Sequence, residues 1–234
     1  MKKLIMLFTF IFCFSSVSAN IGDNFFSIKL GSSNSKNAGT TSLISQVNKS
    51  GTTTNNDLGR SNVLGISIGK YLSEHFRGEI GISQRKGFKY HTTVPALPEN
   101  YYKADVESFA VFLNGYVDAQ PISLLQTSVT PYFGVGVGIS RNKMGSVDLI
   151  TISDGDVFSK ASSNTETEFA FKFAVGTLIK LSDNVSMDIN YQYVDLGGIK
   201  SGIGLTHISN DMKAPFSVPE ITSNEFNIGL QIAF

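Results

Sequence analysis

The chain has 234 residues, of which 41% are hydrophobic and only 16% are charged, and its 19 basic residues balance 19 acidic ones. This neutrality excludes the strongly basic surface that nucleic-acid-binding domains present. The low charged fraction argues against disorder and is compatible with a membrane protein.

The one continuously apolar stretch runs over residues 4–14. Lys2 and Lys3 precede it and the small residues up to Ala19 follow it, which together are the three parts of a secretory signal peptide. The stretch is shorter than the ~20 apolar residues that a transmembrane helix needs. We therefore expect residues 1–19 to be removed by cleavage after Ala19. The mature domain, residues 20–234, then lacks Cys13, the one cysteine, and with it any disulfide or cysteine metal site.

Beyond residue 20, apolar residues alternate with small or polar ones, and this period of two predicts β-strands with one apolar face. The C-terminus shows it most clearly, in Phe226, Ile228, Leu230, Ile232 and Phe234. The pattern predicts eight strands, near residues 24–31, 61–72, 76–86, 104–118, 131–142, 166–181, 185–196 and 223–234.

The connections between these strands fall into two alternating classes. Residues 72–75 and 181–184 read as tight turns and 119–130 as a modest connection, whereas long polar loops are expected near 32–60, 87–103, 143–165 and 197–222. Short turns at one end and long loops at the other are typical of outer-membrane barrels. The prediction is an all-β fold, an eight-stranded antiparallel up-and-down transmembrane β-barrel, with both termini periplasmic and the long loops outside.

The apolar parity is expected to face lipid, because the other parity is mostly glycine and alanine and carries too few charges for a water-facing surface. Small inward residues suit a narrow eight-stranded barrel. In hydrocarbon, only a closed barrel or a helix satisfies the backbone. Aromatic girdles at the two interfaces are expected from Tyr71, Phe76, Tyr116, Tyr132 and Phe234.

The inward parity also carries charges of both signs, among them Lys29 and Glu225. We predict a lumen charge network of Arg77, Glu79, Glu168, Lys172 and Asp188, because paired charges offset each other's desolvation. Arg77 or Lys172 would pair with Glu79, Glu168 or Asp188, and the sequence leaves the pairing open. The network predicts a plugged lumen. The alternatives are that several of these charges lie at the rim, or that the barrel is a narrow porin-like channel for small solutes.

The C-terminal pattern from Phe226 to Phe234 resembles the signal by which bacterial outer-membrane barrels are recognised by the barrel assembly machinery. The stretches 114–118, 131–138 and 191–197 are similar to strand motifs of the opacity-type surface-antigen barrels of alphaproteobacteria. The resemblance implies an OmpA-like barrel in the bacterial outer membrane whose loops serve as antigens or adhesins. It implies no catalytic residues and no cofactor.

Two loop motifs are candidates for chemistry. The run 207–210 is similar to the His-x-Ser-Asn stretch of lipid A deacylase barrels, where histidine activates serine. It falls in a loop and lacks the family's other pattern, so a lipid A-modifying acyl hydrolase is the less favoured interpretation. Asp154 and Asp156 are too few for a calcium loop, which needs further oxygen ligands at ordered spacing. No metal or cofactor site is predicted.

A possible loop binding surface combines cations with aromatic residues: Lys86, Phe88, Lys89, Tyr90, Tyr101 and Tyr102. It could hold phosphates of lipopolysaccharide or stack on a host sugar. The predicted function is that of a surface antigen or adhesin, not an enzyme. The predicted partners are outer-membrane lipid, lipopolysaccharide, the assembly machinery and possible host surface molecules, with no nucleic acid, and the protein is expected to be a monomer.

Overall fold

The computed structural model describes residues 24–36, 58–94, 97–124, 127–151, 155, 157–203, 205–206 and 215–234. Among these residues, no helix is both long and apolar enough to cross a membrane. Eight long strands form the body of the molecule: β1 (Asn24–Lys36), β2 (Arg60–Tyr71), β3 (Phe76–Val94), β4 (Leu97–Asp118), β5 (Thr127–Met144), β6 (Asn164–Lys180), β7 (Val185–Asp195) and β8 (Thr222–Ala233).

Each of these strands pairs antiparallel with the next, and β8 pairs with β1 from Phe25↔Ala233 to Lys36↔Thr222. The last pairing closes the sheet into a ring, so the predicted eight-stranded antiparallel barrel is confirmed. The predicted leader, residues 1–19, lies outside the described residues and stays a prediction.

The two parities point to opposite sides of the wall, as predicted. Outward residues such as Ile28, Leu113 and Ile228 are 41%, 45% and 48% exposed. Their inward neighbours Ser27 and Asn114 are buried. A continuous outward apolar surface of this kind is the lipid-facing band of a transmembrane barrel.

The predicted short turns occupy one end of the barrel. Leu72 N–H donates to the carbonyl of Phe76 at 2.7 Å and Leu181 N–H donates to that of Val185 at 2.8 Å, which closes both turns. The third connection contains a short strand, Ile122–Leu124, that pairs with the start of β5. By the arrangement of outer-membrane barrels this is the periplasmic end.

At the opposite end, much of what the sequence predicted as loop is strand. Strands β3 and β4 pair almost to their tips, so the expected loop 87–103 is a hairpin. Part of the expected loop 143–165 forms two strands, Val147–Thr151 and Val157–Ala161, which pair with each other. The alternation was not visible in the sequence because several outward residues of these segments, such as Lys89, Asp105 and Lys160, are charged, so that apolar residues no longer mark a membrane-facing side.

These segments form one sheet above the apolar band, which we call the outer sheet. Val147–Thr151 pairs with β4 at residues 100–103. On the far side, Val157–Ala161 pairs with Leu205–Thr206. The expected loop 197–222 contains a further hairpin, in which Ile199–Lys200 pairs with Ser217–Val218.

Candidate functional site

An arginine closes the periplasmic half of the lumen. The Arg77 side chain is buried, and its Nε donates to Asp118 Oδ1 and Oδ2 at 3.0 and 3.1 Å. Its Nη1 donates to Gln231 Oε1 at 3.2 Å. The guanidinium carbon lies 4.2 Å and 4.5 Å from the ring centres of Tyr116 and Tyr132. Two rings and two polar partners thus fix the guanidinium across the barrel, where cation–π contact adds to the ion pair.

Tyr116 and Tyr132 were expected in an interfacial girdle, but both side chains point into the lumen and are buried. Each occupies the inward parity of its strand, where a hydroxyl finds polar partners. Phe76 and Phe234 do face outward, with 53% and 54% exposure.

Next to Arg77 lies a lysine between two carboxylates. Lys29 Nζ is 3.1 Å from Asp188 Oδ2 and 3.7 Å from Glu79 Oε2. Tyr132 donates its hydroxyl to Asp188 Oδ1 at 2.6 Å, and Tyr116 donates to Glu79 Oε1 at 3.0 Å. Both acids are therefore held by an ammonium and a phenol, which offsets the cost of burying them.

A third buried ion pair lies nearer the outer end. Arg85 Nε donates to Glu225 Oε1 at 2.5 Å and Arg85 Nη2 donates to Glu225 Oε2 at 3.1 Å. Gln192 Nε2 donates to the same carboxylate at 2.6 Å. The pair links β3 to β8 across the lumen with the bidentate geometry that suits arginine.

Of the five residues predicted for the lumen charge network, the structure brings Arg77, Glu79, Lys172 and Asp188 into the barrel. Lys172 lines a cavity of about 40 Å³ with Glu79, and its Nζ lies 5.0 Å from the ring centre of Phe112. The pairing differs from the candidates considered, because Arg77 takes Asp118 and Asp188 takes Lys29. Asp118 lies at the last position of β4, where the sequence suggested a strand end rather than a lumen partner.

Glu168 does not join this network. Its side chain is exposed at the rim of the barrel, where Gly197 passes close to the Glu168 Cβ.

Above the ion pairs, an apolar cluster fills the mouth of the barrel. Inward residues of β3 to β7 meet the hairpin around Ile199 and Val218, which folds back over the lumen. Leu196 N–H donates to the carbonyl of Ile221 at 3.0 Å, which anchors this hairpin. We call the cluster the outer plug; its principal members are Phe88, Tyr90, Phe112, Met144, Val194, Leu196, Ile199, Phe216, Val218 and Ile221.

The predicted loop binding surface is divided between two sides of the sheet. Phe88 and Tyr90 are fully buried in the outer plug, so their predicted exposure is wrong. The reason is a β-bulge between Lys86 and Phe88, where Gly87 has a φ of 119°. The extra residue reverses the parity, as bulges do. Phe88 consequently faces inward, although it lies three positions after the inward Arg85.

The other members of that surface remain at least partly accessible. Lys86 and Lys89 are exposed, and Lys89 Nζ lies 2.5 Å from Asp105 Oδ1. Tyr101 is half-buried and its ring centre lies 5.0 Å from that of His91. Tyr102 packs against Phe216 at 4.7 Å between ring centres.

The five residues of the predicted assembly signal all face outward. Phe226, Ile228, Leu230, Ile232 and Phe234 are between 43% and 54% exposed. The run 207–210 and Asp154 and Asp156 lie outside the described residues. Within the described part of the chain, no group of three or more histidine, cysteine or acidic residues has the geometry to hold a metal ion.

A family model for the outer membrane protein beta-barrel domain matches residues 7–234. The chain belongs to this outer-membrane β-barrel family. It is therefore a protein of the bacterial outer membrane, and the outward apolar surface is its lipid-facing band.

Proteins similar in sequence include some that are named for surface functions. The chain is 28% identical to outer membrane protein PagN of Salmonella typhimurium over 56% of this chain and 52% of that protein. It is 27% identical to a putative adhesin of Rickettsia conorii over 71% of this chain and 65% of that protein. The chain spans little more than half the length of the first of these relatives.

Solved barrels share the fold at low identity. Neisserial surface protein A matches with a TM-score of 0.53 at 15% identity, over 92% of this chain and all of that chain. OprG of Pseudomonas aeruginosa matches with a TM-score of 0.52 at 13% identity, over 92% of this chain and 98% of that chain. At this identity the likeness concerns the fold alone.

Proposed function

We propose that this outer-membrane barrel acts at the cell surface as an adhesin-like protein through its outer sheet, and neither as a pore nor as an enzyme. The observation that carries the proposal is the closure of the lumen at two levels, by Arg77 with its partners and by the outer plug. A solute would have to displace both.

The outer sheet has the properties that a binding module needs. One side packs on the outer plug through Tyr90 and Tyr102, so the sheet is a folded extension with its own core. The other side presents Lys86, Lys89 and Tyr101. A rigid scaffold that positions exposed side chains loses little entropy on binding. The names of the rickettsial relatives, putative adhesins, support the same role.

Adhesion of bacteria that display the chain tests the proposal. The variant Lys86→Ser/Lys89→Ser/Tyr101→Ser is expected to lower binding to host cells about tenfold, as removal of a few contact residues does. Lys70→Ser/Lys180→Ser at the periplasmic end is the matched control and should bind as the parent does, at equal surface density. Unchanged adhesion by the first variant, and by one lacking the hairpin over residues 89–104, would refute the role.

Conductance separates the adhesin from the channel. Purified protein in a planar bilayer should show no stable open level, because the two closures lie in series. A reproducible conductance from the folded protein would favour the porin-like alternative.

Two partners stay predictions. We propose that the outward side chains from Phe226 to Phe234 act as an assembly signal, read while β8 still has a free edge that can pair with another sheet. Phe234→Ser should then lower the amount of folded barrel in cells without a comparable effect on refolding in detergent. Lipopolysaccharide is the second predicted partner.

A further inference from the structure

The charges just above the lipid-facing band are unevenly distributed by sign around the ring, with most of the cations on one side. On the side of β3 to β5, exposed cations lie beyond the apolar outward residues: Lys86, Lys103, Arg141 and Lys143, which we call the basic arc. Three acids lie among them: Glu107 is paired in register with Lys86 and Lys143, Asp148 with Lys103, and Asp105 with Lys89. Within the described residues, none of the four cations forms an ion pair, because no carboxylate oxygen lies 4.0 Å or less from its charged nitrogen atoms.

The other side carries three acids around Gly197, namely Glu168, Asp195 and Glu220, which we call the acidic cluster. Gly197 N–H donates to Asp195 Oδ1 at 2.8 Å, and its carbonyl accepts from Ile221 N–H at 2.7 Å. The carboxyl groups of Asp195 and Glu220 are neighbours, and their interaction raises the pKa of Glu220. In the part of the chain that the structure describes, none of the three acids forms an ion pair, so like charges are held together without a counter-ion.

Directly beneath the acidic cluster, aromatic rings cover the lipid-facing wall. Phe171 packs edge-on against Phe173 at 5.8 Å and contacts Tyr193 at 6.2 Å between ring centres. Phe169 above them is 65% exposed. These four residues form the aromatic patch. Aromatic residues supply large, stiff contact area and are enriched in protein interfaces.

The membrane makes these features complementary between neighbouring molecules. All copies share one orientation and one depth in the bilayer, so structures at the same height on different copies can meet. The basic arc and the acidic cluster both begin at the first outward position beyond the apolar band, with Arg141 after Ile139 and Asp195 after Tyr193. They lie on different sides, because β4, at the centre of the basic arc, and β7, which ends at Asp195 in the middle of the acidic cluster, are three places apart in a ring of eight.

We propose that the acidic cluster and aromatic patch of one copy dock against the basic arc of a second copy, side by side in the membrane. The second copy supplies the missing cations at the height where they are needed. Because the two surfaces differ, the contact is head-to-tail and leaves one free surface at each end. Such contacts extend into rows instead of closing as a dimer. This proposal differs from the monomer expected from the sequence, which stays a prediction.

Disulfide cross-linking in vesicles of phosphatidylcholine tests the geometry. Lys143→Cys/Glu220→Cys, in a Cys13→Ser background, should form a ladder of dimers and larger species on oxidation. Each single variant, Lys143→Cys or Glu220→Cys, should form no cross-linked species when oxidised alone. A mixture of the two should form cross-linked dimers. Lys86→Cys/Glu168→Cys is a second pair, and the heat-dependent gel shift of a folded barrel verifies each variant.

Charge reversal supplies the control that separates docking from random collision. Glu220→Lys should lower association, measured by energy transfer between labelled copies, about tenfold, because it turns an attraction into a repulsion. Mixing Glu220→Lys with Lys143→Glu should restore it. Glu74→Lys, the same change in a periplasmic turn, should have no effect. High salt should weaken association of the parent.

Several outcomes would overturn the proposal. One is folded monomers at every protein density. Another is single-cysteine variants that cross-link to themselves as efficiently as the pair, which would mean unspecific contact. A third is loss of the ladder when lipopolysaccharide is added, with the arc lysines protected from amine labelling. In that case lipid phosphate is the occupant of the basic arc.

Discussion

The Arg77 guanidinium donates to both carboxylate oxygens of Asp118 inside the barrel, at 3.0 and 3.1 Å. Because both groups are buried, removal of one leaves the other charged in a site with little water. Asp118→Ala should lower the free energy of unfolding by about 3–5 kcal/mol, the usual cost of breaking a buried pair. Urea unfolding in detergent or vesicles measures it.

The exposed pair of Lys180 and Asp183, 3.0 Å apart in a periplasmic turn, provides the comparison. Asp183→Ala should cost only ~0–1 kcal/mol because water screens exposed charges. Equal losses for the two variants would mean that Arg77 finds another partner.

The bulge at Gly87 makes a prediction about the outer sheet. Its φ of 119° is a conformation that side chains other than glycine rarely adopt. Gly87→Val should therefore destabilise the protein by about 1–3 kcal/mol, the strain of an unfavourable backbone conformation. Gly115→Val is the matched control, since a Cβ at that position meets no atom within 4 Å. If the two variants unfolded alike, the bulge would not require glycine.

Phe216 is the ring that joins the outer plug to the outer sheet, in contact with Tyr90 and Tyr102. Phe216→Ala should remove about 3–5 kcal/mol of packing, as truncation of a buried phenylalanine does. Only the outer sheet should loosen. Limited proteolysis should therefore cleave the chain outside the lipid-facing band, while the barrel keeps its heat-dependent gel shift. Phe169→Ala, which changes a ring on the lipid-facing side, should leave the proteolytic pattern unaltered.

Glu220 makes the stability of the rim depend on pH. Its shared hydrogen bond with Asp195, together with partial burial and the neighbouring charge, raises the pKa of Glu220 above the ordinary 4.5. A raised pKa in the folded state means that this contribution is complete below about pH 4.5 and is lost as the pH rises through the folded value. Glu220→Gln should flatten the pH dependence of unfolding in that window. An unchanged slope would show that the two acids do not interact.

The strand count and the outward parity could be predicted because the lipid-facing wall requires an apolar residue at every second position. The segments around Ile28 and Ile228, for example, carry this pattern in their residues alone. The contacts inside the lumen were harder to predict. Arg77, Glu79 and Asp188 could be placed inside from parity alone, but the choice of Asp118 over Glu79 depends on which side chains meet across the barrel, and one sequence does not contain this.

The largest errors lay above the membrane. Phe88 and Tyr90 read as exposed because one bulged residue reverses every later side chain, and Gly87 was the one local signal for it. The sequence pattern also failed to predict that β3 continues beyond Lys86, for a related reason. Once a sheet leaves lipid, its outward side chains need not be apolar, so the alternation that identifies a strand disappears while its hydrogen bonds continue.

Ring closure has a consequence for how the molecule is made. The seam joins β1 to β8, the two ends of the described chain, and Phe234 N–H donates to the carbonyl of Asn24 at 2.9 Å. Every other neighbouring pair of strands can form as the chain emerges, but this one must wait for the last strand. Until then β1 and β7 both have an unpaired edge, which is where an unfinished barrel is most exposed to strand pairing with a wrong chain.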